Sequence, residues 1–258
     1  MKLSDKLWNW GHLEGSHNKC TGLECSMTPE QFAEEYGIRN AFIVSYGGNI
    51  VPPFDALVNR FSSLREIKWS VLGDSSTPLP NAELGNTEDI IAVLDGVKNI
   101  TGGVVDDFFS PERMLRFPPE ILKKIKAALN ANGLDFWCVL YDMQLDLELE
   151  KYLDCFDGVT FWIWKSTELA NTEKHLQKLF SLTKDKPVML GIYTFDYGTG
   201  GKIMDPILFE TQLKKYIELL RQGKADGIIF CSSTLGDADL ETNRILKDYV
   251  CRYGDEDI

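Results

Sequence analysis

The residues of this 258-residue sequence whose type and spacing could do chemistry are carboxylates placed where short apolar runs end. Gly102-Gly103-Val104-Val105 runs straight into Asp106 and Asp107. Asp142 follows Phe136-Trp137-Cys138-Val139-Leu140-Tyr141, and Asp196 follows Leu190-Gly191-Ile192-Tyr193-Thr194-Phe195. Asp74 follows Val71-Leu72-Gly73, His12 and Glu14 follow Leu7-Trp8-Asn9-Trp10-Gly11, and Lys165 follows Trp162-Ile163-Trp164. Two carboxyl groups in one site can divide acid and nucleophile or base roles between them. Any single Asp after an apolar run is equally suited to cap a helix or make a turn. Several such groups converging on one place repel each other, and that arrangement asks for a ligand.

Aromatic residues follow the same placement. All six Trp fall in or beside the apolar runs, and Trp10, Trp164, Tyr46, Tyr141 and Tyr197 stand near their ends. Trp69, Trp137 and Trp162 lie earlier and read as core. An aromatic face beside carboxylates suits a sugar, whose apolar C–H face stacks while its hydroxyls find polar partners.

The elements that must position these groups are strands alternating with helices. Strands are expected over residues 7–12, 40–46, 66–73, 100–107, 135–142, 157–165, 187–196 and 226–232. Helices are expected over 29–36, 54–63, 87–97, 118–131, 146–154, 168–182, 206–222 and 238–252. Thr28-Pro29 and Asp205-Pro206 mark two starts, with a capping side chain before a proline. In 206–222 the stripe Leu208, Leu213, Tyr216, Ile217 and Leu220 should face the core. Near-continuous apolar strands belong to a parallel sheet covered on both faces. Eight strand–helix pairs in 258 residues predict an α/β fold, a (β/α)8 TIM barrel forming a single domain over 1–258. A doubly wound open sheet also alternates strand and helix, but no Gly-rich dinucleotide fingerprint follows the first strand. In a barrel, the strand-end residues gather at one mouth, and only one of the adjacent Asp106 and Asp107 should face the axis. The long segments 13–27 and 74–86 should wall the cleft.

Charge narrows the partners. Asp and Glu number 39 against 27 Lys and Arg, a net charge of −12, which opposes phosphate backbones and anionic lipid. Nucleic acid and membrane are therefore not expected, and a small molecule or oligosaccharide is. No stretch of about 18 uncharged apolar residues occurs, so a cytoplasmic location is expected unless a signal has been removed. Cys20, Cys25, Cys138, Cys155, Cys231 and Cys251 are scattered, as expected of free thiols.

The strand-end aromatics with carboxylates on strands four and seven resemble barrel glycoside hydrolases in general, over the whole chain and without a family-specific string. That resemblance implies Asp106 or Asp107 with Asp196 as the working pair. It implies substrate contacts from Trp10, His12, Glu14, Tyr46, Asp74, Tyr141, Asp142, Trp164, Lys165 and Tyr197, and no cofactor. Many such barrels carry Glu at strands four and seven, where this chain has Asp. Two other readings stay open. Schiff-base aldolases resemble this plan in placing a lysine on strand six, which makes a desolvated Lys165 a nucleophile and Gly198, Gly200, Gly201 and Lys202 a phosphate nest. A barrel that binds sugar without cleaving it would show the same residues. His12, Glu14 and His17 with Asp106 or Asp142 have no recognisable metal spacing, and no metal is expected.

Overall fold

The structure is a computed structural model that describes residues 1–258. Eight parallel strands close into a barrel: β1 (Leu7–Gly11), β2 (Asn40–Ile43), β3 (Glu66–Ser70), β4 (Ile100–Val105), β5 (Asp135–Tyr141), β6 (Gly158–Trp162), β7 (Val188–Tyr193) and β10 (Gly227–Cys231). Closure is made by β1, which pairs with β2 on one side and with β10 on the other. A small antiparallel ribbon, β8 (Phe195–Asp196) with β9 (Lys202–Ile203), stands in the loop after β7. The expected fold class is the one observed.

Each expected strand is present, and each ends one to three residues earlier than expected, because the residues at its end leave the ladder for the loops. Helix Pro29–Tyr36 has the expected bounds, with Thr28 and Gln31 exchanging hydrogen bonds at its start. Other helices are reduced. The expected 54–63 becomes a turn of α-helix, Asp55–Val58, followed by the 3-10 turn Asn59–Phe61, and 146–154 becomes Glu150–Leu153. A helix over Pro111–Arg116, capped by the Ser110 side chain, was not expected. In helix Pro206–Arg221 the expected Leu213, Tyr216, Ile217 and Leu220 are buried, whereas Leu208 is exposed and Phe209 takes its place in the core.

Alternation along the strands fills the barrel with aromatic side chains. Trp8 and Trp10 both pack on Phe42, and Trp10 also meets Trp162 edge-on at 5.2 Å. Lys68 enters from β3; its ammonium lies 2.6 Å from Asp135 and 5.8 Å from the rings of both Trp8 and Trp137, so this buried charge has an anionic partner and π faces. Gly102 makes the pair possible, since a Cβ there would stand 1.8 Å from Asp135 Oδ1.

Gly191 on β7 does the same nearer the mouth. A Cβ at that position would lie 2.1 Å from the indole of Trp162, and Trp162 supports Tyr193 at 5.0 Å as well as Trp10. Gly191→Ala must displace the indole in a filled core, at a cost of ~1–3 kcal/mol. We expect thermal denaturation to show a Tm lowered by ~2–4 °C for each kcal/mol lost, with the tryptophan near-UV signal altered; an unchanged Tm and spectrum would contradict this packing.

Candidate active site at the barrel mouth

At the carboxyl ends of the strands lies a cleft of about 650 Å³. Its wall is divided by chemistry. Asp74, Asp106 and Asp107 occupy the side formed after β3 and β4, and Trp10, Tyr46, Tyr141, Trp164, Tyr193 and Tyr197 occupy the rest together with His12 and His17.

The acidic side is built from the backbone outward. Asp106 continues the inward-facing alternation of β4 and is buried. Its Oδ1 accepts the N–H of Asp107 at 2.8 Å. Burial first, and then the negative charge of Asp107 and Asp74, hold its carboxyl well above the ordinary carboxylate range. Asp107 follows with φ of 47°, in the left-handed region, which Asp tolerates better than most residues. That twist breaks the strand alternation, so both acids line the cleft where only one was expected to face it. The Asp107 carboxylate is gripped on each oxygen, Oδ1 accepting the Tyr141 hydroxyl at 2.8 Å and Oδ2 the N–H of Ser75 at 3.0 Å. Tyr141 keeps its proton for that bond because burial raises its phenol well above the usual value. Asp74 accepts from Gly47 N–H at 3.1 Å, Ser76 at 2.5 Å and Thr77 at 2.6 Å. Beneath the three acids the buried Arg113 guanidinium donates to the carbonyls of Gly73, Asp74 and Asp106.

The aromatic side is continuous. Tyr141 meets Trp164 at 5.9 Å, Trp164 meets Tyr193 at 5.6 Å, Tyr193 meets Tyr197 at 5.7 Å, and Tyr197 meets His17 at 5.2 Å. His17 reaches Tyr46 at 4.9 Å, and Tyr46 reaches His12 at 5.5 Å, most of these contacts edge-on. His12 Nδ1 is 3.0 Å from the Val44 carbonyl, and desolvation lowers this imidazole to about 4. His17 is lowered to about 2 by desolvation and then by His12, and its Nδ1 sits among the hydroxyls of Tyr197, Ser232 and Thr234 at 2.9–3.2 Å. Both imidazoles are neutral at neutral pH.

Nine of the residues singled out in the sequence therefore meet at the mouth: Trp10, His12, Tyr46, Asp74, Asp106, Asp107, Tyr141, Trp164 and Tyr197. Four do not line it. Asp196 is buried in the loop after β7, accepting from Ser166 Oγ at 2.5 Å, from Thr199 N–H at 3.2 Å and from the Thr199 hydroxyl. Lys165 is exposed just beyond β6, so the desolvation expected for a nucleophilic amine is not present. Glu14 turns outward to Arg60 at 2.6 Å. Asp142 accepts the Trp164 N–H at 2.9 Å, which fixes the backbone that carries that indole. Its carboxylate, with Glu168 and His175, offers ligand atoms within 4.8 Å of one another, outside the cleft lining.

His17, weighed in the sequence only as a metal ligand, Cys20, and Tyr193, near a strand end, were not placed in the wall and do line it. The first two arrive on the irregular segment 13–27, whose length was the only signal. Tyr193 was legible from alternation, two residues beyond Gly191 on β7. Gly200 and Gly201 also reach the wall, on the β8–β9 ribbon.

No protein-family model matches the sequence, and no curated protein matches it. Solved structures do resemble it in shape. A xylanase–α-amylase inhibitor protein solved with trehalose aligns at a TM-score of 0.63 and 12% identity over 96% of this chain and 98% of that one. A chitinase from Chromobacterium violaceum aligns at 0.56 and 11% over 94% and 97%, and a tryptophan synthase α-subunit from Pyrococcus furiosus at 0.54 and 16% over 97% and 98%. Identities this low show the fold alone: the chain is a (β/α)8 barrel, a shape it shares with each of these three proteins.

Proposed function

We propose that the protein acts on a saccharide, breaking or transferring a glycosidic bond at the barrel mouth, with Asp106 as proton donor and Asp107 as the carboxylate facing the anomeric carbon. One observation carries this reading: two adjacent acids share the cleft in opposite environments. Asp106 is buried and held protonated well above the ordinary carboxylate range, whereas both oxygens of Asp107 accept hydrogen bonds and are aligned by Tyr141 and Ser75. Environments that separate two carboxyl groups in this way assign acid and anion roles. In the proposed step the Asp106 proton passes to the leaving oxygen as the C–O bond breaks, and Asp107 stabilises or captures the positive charge that develops. The ring would stack on Trp164 or Trp10 with its hydroxyls toward Asp74, Ser75 and Gln144. On this reading Asp196 is a positioning residue, tying the loop after β7 to Ser166 so that Tyr197 keeps its place.

Binding without cleavage is the second reading, favoured by that same Asp196, whose withdrawal from the cleft leaves all the acids on one side of it. The aldolase reading loses its support, since Lys165 is exposed and lines no part of the cleft.

A panel of α- and β-linked aryl glycosides separates these. Turnover by the wild type that falls ~100-fold or more in Asp106→Asn and in Asp107→Asn, with binding retained, is the expected result. Binding with no turnover in the wild type would establish the lectin-like role, and turnover surviving both substitutions would overturn the assignment.

Stability should carry the same signature. Below the unfolded value near 3.8 Asp106 is protonated in both states and costs nothing. As pH rises above that value the unfolded chain ionises first, so the folded state loses relative stability up to the raised folded value. Asp106→Asn lacks this cost. Its Tm should exceed that of the wild type by a margin that widens between about pH 4 and neutrality; a margin independent of pH would contradict a raised Asp106.

A further inference from the structure

Charge in the cleft is one-sided. Three of its twenty lining residues are Asp and none is Lys or Arg. Its two imidazoles are held neutral by burial. The nearest guanidinium, that of Arg113, is buried and spends its donors on backbone carbonyls. Lys202 is turned toward Asp196, and Lys165 stands outside the cleft. Tyr141 is bonded directly to Asp107 and packs edge-on against Trp164, so this aromatic pair adjoins the acids. Aromatic rings beside carboxylates in a cleft lined by no Lys or Arg are the chemistry that receives an organic ammonium group.

This rests on the saccharide reading above and deepens it. We infer that the cleft recognises a saccharide bearing a free amine, whose ammonium group is received at the Asp74–Asp107 edge against the faces of Tyr141 and Trp164. A uronic acid or phosphorylated sugar is disfavoured at the same place, because it would bring an anion beside Asp74 and Asp107 in a cleft lined by no Lys or Arg. A neutral sugar satisfies the aromatic side and leaves the acidic side without its counter-charge. The net charge of −12 adds long-range attraction for cationic ligands and repulsion for anionic ones.

The test compares four aryl glycosides that differ at one group, each in both anomeric forms: glucosaminide, N-acetylglucosaminide, glucoside and glucuronide. Binding is read by tryptophan fluorescence on the full chain and on Asp106→Asn, which blocks turnover while keeping a neutral side chain at that position. The glucosaminide is expected to bind about tenfold or more tightly than its N-acetylated and hydroxyl counterparts, and the glucuronide more weakly than any. The advantage should shrink as salt is raised from about 0.01 M to about 1 M, which shortens the Debye length from ~30 Å to ~3 Å. It should also collapse in Asp107→Asn while glucoside binding persists. Equal or tighter binding of the neutral glycosides overturns the ammonium inference and leaves the saccharide reading standing. If the sugars fail to bind and a simple aryl-alkylammonium binds with the same salt dependence, ammonium recognition stands and the saccharide reading falls. Failure of every probe overturns both.

Discussion

Three carboxyl groups crowd one edge of the barrel mouth, and much of the surrounding structure exists to hold them there. Like charges at close range repel, so their positions must be fixed by hydrogen bonds and one of them must stay protonated. Asp74 is fixed by Gly47, Ser76 and Thr77, and Asp107 by Ser75 and Tyr141. Asp106, buried beside the other two, keeps its proton. Arg113 underpins Asp74 and Asp106 through their backbone carbonyls rather than through their side chains. The loops after β2, β3 and β4 are therefore tied together by the same groups that face the cleft.

The aromatic arc is the structural answer on the other side. Parallel strands with a two-residue side-chain period stack alternate residues along the barrel axis, and the interior tiers of Trp8, Trp10 and Trp162 lead upward to the rings at the mouth. Gly191 is part of that arrangement because the Trp162 indole occupies the space its side chain would need. Core and site are thus continuous: rings that face the cleft rest on rings buried beneath it.

Much of this was legible in the sequence, and the rest was not, for identifiable reasons. Apolar runs ending in polar residues gave the eight strands and the barrel, since a doubly covered parallel strand has little other way to look. Strand-end position placed Trp10 and Tyr141 near the mouth, because a residue still in the strand inherits its direction, and Tyr46 and Trp164 line it from two or three residues past their ladders. Direction is lost once the ladder ends. Asp107 escapes the alternation through a left-handed backbone, and Asp196 and Glu14 are drawn into loop contacts with Ser166 and Arg60 that no spacing announces. His17 lies in a segment without periodicity and is held at the site by contacts with Tyr197, Ser232 and Thr234 that are distant in sequence. In helix Pro206–Arg221 the hydrophobic period was plain, but its first residue was ambiguous between Leu208 and Phe209, and the larger ring took the core.

The central claim is that a saccharide binds between the acids and the aromatic arc. Six Trp indole N–H groups report on it in a single 15N–1H NMR titration, because they lie at different depths of the barrel. A bound aryl glycoside is predicted to shift the signals of Trp164 and Trp10, which line the cleft, and to leave those of Trp69 and Trp137, buried away from it, in place. Saturation with no shift at Trp164 and Trp10, or shifts confined to the deeper indoles, would contradict the account.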